Sequence, residues 1–363
     1  MLANRKSAEE TTLPSFGKIA LGAAGGLALL GIVTFIWSRK PVEVDQSIDD
    51  PALVYLNDRE TGAPQFEEGY FEHDGRNLHY VMAGEGETIV FLHGFPSFWL
   101  SFVRQLETFK SRYRVIAIDG LGAGRSDAPR EIEPYQLQAM SEHILALLDA
   151  VEADRVHLVG HDWGSAFAIG LAQQHPERVI SVTGISAPPL NASLYAFEND
   201  SAARKSAAYV ENFKKANPAI LVLLGTAGDI YKGAYRPLVE AGKLSPEEGG
   251  LFRGATNNAR RTNAHINWYR ANVPSPDSIT DADFWPGHDA RVTVPALYIW
   301  GEEDPIRNET AILRLLDLSD NAKLVSFPGV GHWPHVLEAE SVNAAIREHI
   351  ESASGDVTSV SVD

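Results

Sequence analysis

Short apolar runs alternate with longer amphipathic stretches along most of this chain. Glu87-Thr-Ile-Val-Phe-Leu92, Arg114-Val-Ile-Ala-Ile118, Val156-His-Leu-Val159, Val179-Ile-Ser-Val-Thr183, Ala296-Leu-Tyr-Ile-Trp300 and Lys323-Leu-Val-Ser-Phe327 each predict a buried core strand. Glu67–Glu72 and Leu78–Met82 flank Asp74-Gly75 and predict a hairpin. Glu133 to Val151 and Ser165 to Ala172 carry helical periodicity. After Pro188-Pro189 the strand pattern stops, and it resumes at Val294. The expected organisation is an α/β core of residues 66–188 and 286–352, interrupted by a helical lid over residues 189–285.

Upstream of this core, Ile19 to Trp37 contains no charged residue. At about 1.5 Å per residue the run spans roughly 28 Å, close to the hydrocarbon thickness of a bilayer. Lys18 precedes it, and Arg39-Lys40 follow Trp37, an interface-type residue. A cleaved signal would end in a small-x-small site; this run ends Phe35-Ile-Trp-Ser-Arg39. The expectation is an uncleaved single-pass membrane anchor over residues 18–38. A polar tail, residues 1–17, precedes it, and a Pro- and Asp-containing linker, residues 39–65, follows. Arg5, Lys6 and Lys18 nearly balance Arg39 and Lys40, so the side of the membrane stays open. Residues 353–363 are expected to form a disordered tail.

Composition narrows the chemistry. A net charge of −17 over 363 residues argues against nucleic-acid binding, which needs a basic surface. The chain has no cysteine, which removes disulfides, cysteine nucleophiles and thiolate metal sites. No His/acid cluster has metal-ligand spacing along the chain, and no cofactor motif stands out.

The remaining signal is catalytic. Gly160-His161-Asp162-Trp163-Gly164 sits between a predicted strand and a predicted helix, the context of a nucleophile elbow. Its central residue is Asp162, where serine would suit acyl transfer. A carboxylate instead displaces a leaving group at carbon and leaves an alkyl ester on the enzyme. The acid and histidine of such a site follow later in the chain. Asp304 follows the strand Ala296–Trp300, and His332 follows Lys323–Phe327. Asp304 is placed to orient His332, and His332 to activate water. Glu302, Glu303 and His335 are nearby rivals, ranked below as loop charges and as the start of the last helix. His143 and His288 read as surface or packing residues. The strand Glu87–Leu92 ends in His93-Gly94-Phe95-Pro96. The backbone N–H groups of Phe95 and Trp163 are the expected oxyanion donors.

These segments resemble the epoxide hydrolase group of the α/β-hydrolases, from about Gly69 to about Ile350. His93-Gly-Phe-Pro-Ser-Phe-Trp-Leu-Ser101, the Gly160–Gly164 elbow, Asn267-Trp-Tyr-Arg270, Asp304 and Gly331-His-Trp333 carry the likeness. The resemblance implies a mostly parallel eight-stranded sheet with a helical lid. It implies a small hydrophobic epoxide and water as reactants, a vicinal diol as product, and no metal. It also implies two lid tyrosines as proton donors, Tyr269 in Asn267-Trp-Tyr-Arg270 and Tyr209 upstream. Related haloalkane dehalogenases tend to have Asn where this chain has Phe95. A dehalogenase using the same aspartate is the alternative activity, and a tethered binding protein without turnover is the alternative class. One departure stands out: Leu121 replaces a usual arginine in Asp119-Gly-Leu-Gly-Ala-Gly-Arg125. Arg125 is the expected substitute partner there.

Overall fold

The computed structural model describes residues 46–59, 65–215, 226–256 and 258–355. The expected tail of residues 1–17, the anchor of residues 18–38 and residues 356–363 of the expected C-terminal tail lie outside the described residues. Among the described residues no helix is long and apolar enough to cross a membrane.

The apolar runs become strands. These are β1 (Glu67–His73), β2 (Arg76–Ala83), β3 (Thr88–Leu92), β4 (Arg114–Ile118), β5 (Val156–His161), β6 (Val179–Ile185), β7 (Ala296–Gly301) and β8 (Ala322–Phe327). They form an eight-stranded sheet in the order β1-β2-β4-β3-β5-β6-β7-β8. The β1–β2 hairpin and the β2–β4 pair are antiparallel; all other pairs are parallel. β3, β5 and β7 are buried at every position. Alternate side chains therefore feed two cores. Val90 and Leu92 join Ile116 and Leu158 on one face, while Ile89 and Phe91 join Val115 and Leu297 on the other.

Helices cover both faces. α1 (Pro51–Arg59), α2 (Val103–Phe109), α3 (Leu137–Ala150) and α4 (Trp163–Gln174) precede the lid. The lid contains α5 (Leu190–Asn199), α6 (Ser201–Ser206), α7 (Ala208–Lys214), α8 (Thr226–Ala234), α9 (Arg236–Glu240), α10 (Pro246–Thr256) and α11 (Ala259–Asn272). α12 (Glu309–Asp317), α13 (Pro334–Leu337) and α14 (Ala339–Ala353) complete the core. β6 and β7 are adjacent parallel strands, so the lid is an excursion from one sheet edge-to-edge step and returns to it.

Three local expectations change. The helix anticipated from Glu133 starts at Leu137, because Gln136 is extended after a single 3₁₀ turn containing Pro134. His335 lies in the one-turn α13, ahead of the last helix. Within the expected linker, residues 51–59 form a helix docked on the core. Asp50 receives the Ala52 N–H at 2.9 Å and the Trp99 indole N–H at 2.8 Å. Ala52 and Leu56 are buried beneath α1. The segment looked like a linker because only these few positions of a polar stretch face inward.

Leu56→Ala should lower the unfolding free energy by about 2–5 kcal/mol in urea titration, the usual cost of a buried Leu truncation. A loss below about 0.5 kcal/mol, as for a surface residue, would mean that α1 is detached in solution.

Candidate active site

The elbow is built by close approach. Asp162 has φ 53° and ψ −122°, a strained conformation for a residue with a side chain. Its N–H donates to Ile185 O of β6 at 3.0 Å, and its carbonyl accepts from Ser165 N at 2.9 Å. A methyl group on Gly164 would strike the Leu92 carbonyl, and one on Gly94 would strike the Asp162 carboxylate itself. The strand, helix and oxyanion loop thus converge only because these two positions lack side chains.

Sheet ends bring the other groups to the same place. His332, beyond β8, donates Nδ1–H to Asp304 Oδ2 at 2.9 Å. Its Nε2 lies 3.5 Å from Asp162 Oδ2. Asp304, beyond β7, is buried, and its second oxygen accepts from Ile306 N at 3.0 Å. Glu302 and Glu303 are exposed one turn earlier. The Phe95 N–H donates to Asp162 Oδ1 at 2.8 Å, and the Trp163 N–H also bonds this carboxylate.

The lid closes over the carboxylate with aromatic rings. Tyr269 of α11 meets Trp163 edge-on at 5.0 Å and Phe95 at 5.5 Å between centroids. Tyr209 of α7 lies 6.3 Å from Tyr269, and the two phenols interact. Asp162, Tyr209 and Tyr269 share a cavity of about 130 Å³. All seven residues expected at a site are therefore in one place.

The electrostatics are coupled. Burial opposes the charge on Asp162, but the bond and charge of His332 hold its pKa below the usual carboxylate value. Burial likewise opposes imidazolium at His332, yet bonds to Asp162 and Asp304 raise its pKa. Burial and the Asp162 charge push both phenols up, which keeps them protonated.

Two further histidines pack beside His332: His161 of the elbow, which carried no expected role, and His335, which the sequence offered as a rival base. His161, fully buried, donates Nε2–H to the His332 carbonyl at 2.8 Å. Its ring packs against His332, Trp333 and His335, with centroids 4.8, 4.7 and 4.3 Å away. Burial and neighbouring imidazoles hold His161 well below its normal value and His335 at about 3. Both stay neutral beside His332. For His161, position next to the elbow was the only available signal.

The departure at Leu121 also resolves differently. Arg125 gives its guanidinium to Tyr70 Oη and Ile48 O and lies 3.6 Å from Glu68, and its backbone N–H donates to Asp119 Oδ2 at 2.9 Å. The side-chain partner of Asp119 is His79, at 2.8 Å, which also contacts Glu68 at 3.2 Å. Burial works against a charged His79, but these two acids raise its pKa to about 9. Leu121 itself is fully buried. Asp50, Glu68 and His79 form the one cluster among the described residues with metal-like spacing. Asp50 and His79 already spend their ligand atoms on hydrogen bonds to Ala52, Trp99, Asp119 and Glu68.

Asp162→Asn removes one of the two acids that favour His332 imidazolium. His332 should then titrate at a lower pH than in the wild type, read from its imidazole resonances by NMR. An unchanged titration would mean that Asp304 alone sets the proton affinity.

Residues 87–339 match the family described as alpha/beta hydrolase fold. The chain is 28% identical over 344 residues to "Epoxide hydrolase 4" of Mus musculus, covering 91% of this chain and 92% of that protein. It is 28% identical over 306 residues to "Epoxide hydrolase 3" of Xenopus tropicalis, covering 80% of each. Among solved structures, a Bacillus megaterium epoxide hydrolase in complex with an inhibitor superposes with TM-score 0.71 at 22% identity, covering 78% of this chain and 100% of that one. Epoxide Hydrolase A from Mycobacterium thermoresistibile superposes with TM-score 0.65 at 26% identity, covering 78% and 98%. With the family match spanning more than half its length, the sheet order and the elbow in place, the chain belongs to the α/β-hydrolase fold family.

Proposed function

We propose that this protein is an epoxide hydrolase that converts a small hydrophobic epoxide and water to a vicinal diol. The observation that carries the reading is the carboxylate at the elbow. Asp162 faces two phenols across an apolar cavity and has His332 behind it. The relatives named epoxide hydrolase support the same reading.

Asp162 attacks an epoxide carbon and the C–O bond breaks. Tyr209 and Tyr269 hold the departing oxygen, and one of them passes it a proton. A halide leaves without a proton, so paired phenols favour an epoxide over a haloalkane. The product of this step is an ester, and Asp162 has lost its charge. His332 then keeps only Asp304 as an acidic partner, gives its extra proton to the phenolate and becomes a base. It takes a proton from water, and hydroxide adds to the Asp162 carbonyl carbon. The Phe95 and Trp163 N–H groups stabilise the resulting oxyanion. Collapse expels the diol oxygen, which takes the His332 proton. The regenerated Asp162 carboxyl group ionises, and its proton restores the His332 imidazolium.

The reading includes a single-pass anchor at residues 18–38, supported by the uncharged run Ile19–Trp37 and its basic flanks.

His332→Gln should stop after one half-reaction. Asp162 needs no base to attack carbon, because an aspartate is ionised near pH 7. Ester hydrolysis does need one. Intact-mass spectrometry should show the variant heavier by one epoxide, with the adduct mapped to Asp162 and absent from Asp162→Ala. Normal turnover by His332→Gln, or an adduct elsewhere, excludes the mechanism.

Full-length protein should sediment with membranes at high speed, while a chain starting near Pro41 should stay in the supernatant without detergent. Recovery of the full-length chain in the supernatant after lysis would rule out the anchor.

A further inference from the structure

The cavity beside Asp162 has a second boundary that the chemistry does not use. Ala196 of α5, Ala203 of α6 and Ala311 of α12 all line it. The three methyl-bearing residues are buried against one another, with Phe197 packed on them, and form a cluster separate from the one that holds Tyr209 and Tyr269. Three helices therefore meet at one wall through their smallest side chains. Hydrogen bonds pin that wall. Asp200 Oδ1 caps α6 by accepting from Ala202 N at 2.8 Å. Asp200 Oδ2 accepts from Asn308 Nδ2 at 2.9 Å and Thr310 Oγ1 at 3.2 Å. Asn308 Oδ1 in turn accepts from Ala311 N at 2.9 Å, capping α12. The two helix starts are fastened to each other, so the wall cannot retreat without breaking both caps.

Size and charge then limit what fits. An apolar protein cavity of roughly 150 Å³ takes up benzene; this one is about 130 Å³. Among the described residues lining it, Asp162 is the one charged side chain. A substrate carboxylate would sit there without a counter-ion and near a like charge, which burial penalises heavily.

Resting on the epoxide hydrolase reading, we propose that Ala196, Ala203 and Ala311 are specificity-determining residues that select epoxides carrying one uncharged apolar substituent of about six carbons. Each buried methylene contributes about 0.8 kcal/mol, or about fourfold in binding. Wild-type kcat/KM should climb by about that factor per carbon from propylene oxide to 1,2-epoxyoctane. It should then level off by 1,2-epoxydodecane.

The test is this series on the full chain, with Ala203→Leu, Ala311→Leu and Ala203→Gly beside the wild type. Each Leu variant should lower the kcat/KM ratio of 1,2-epoxyoctane to propylene oxide at least tenfold. Ala203→Gly should move the plateau to a longer chain. 7,8-Epoxyoctanoate should be at least tenfold poorer than 1,2-epoxyoctane in the wild type. An unchanged ratio in a Leu variant that still opens propylene oxide overturns the proposal. So does an unmoved plateau in Ala203→Gly, which decides the matter if neither Leu variant folds. Equal rates for the acid and the alkane epoxide overturn the charge selection. A wild type that yields no diol from any epoxide instead overturns the hydrolase reading on which the proposal rests.

Discussion

The charge on Asp162 is the interaction on which the other groups of the site depend. It is buried, and backbone donors and His332 hold it there. The same charge raises the proton affinity of Tyr209, Tyr269 and His332 together. In the proposed mechanism, ester formation abolishes it. The phenols then lose a nearby anion just as the opened oxygen needs a proton, and His332 loses a reason to stay protonated just as water needs a base. One covalent event therefore resets three proton affinities in the direction the next step requires, with no movement of the scaffold.

Such coupling needs fixed distances, and the backbone provides them. Asp162 leaves β5 in a strained conformation held by β6 on one side and α4 on the other. Asp304 and His332 leave β7 and β8, strands whose register is locked by parallel pairing. His161 ties the carbonyl of His332 back to β5, one residue from the nucleophile. The proposed nucleophile and base are thus carried on the same few rigid strand ends, which is how a site reaches the tolerances that catalysis demands.

Much of this was legible in the sequence, for physical reasons. Strands buried on both faces need unbroken apolar runs, so β3, β5 and β7 announced themselves. The elbow needs glycines where chains touch, so Gly160 and Gly164 framed Asp162. What escaped was anything fixed by contacts distant in sequence. His79 pairs with Asp119 across the β2–β4 step, which no local pattern reveals, and Arg125 was the nearer but wrong guess. α1 hid in a polar stretch because only Ala52 and Leu56 of it face the core, while polar contacts of Asp50 with Trp99 and of Arg59 with Glu107 and Glu248 hold its ends. His161 carried no expected role because a neutral buried histidine leaves no compositional trace, whereas His335 stood out as a rival to His332. The alanine wall was equally silent, since a small residue marks a helix contact and a cavity boundary alike.

The occupied oxyanion donors have one more consequence. In a serine elbow these N–H groups wait for the carbonyl oxygen of the substrate. Here the Phe95 N–H already holds an oxygen of the protein's own side chain, and in the ester that oxygen remains on the enzyme. An incoming ester or amide finds its docking point taken at every stage of the cycle. The donors that a serine elbow turns toward the substrate are here turned toward the side chain of the elbow itself.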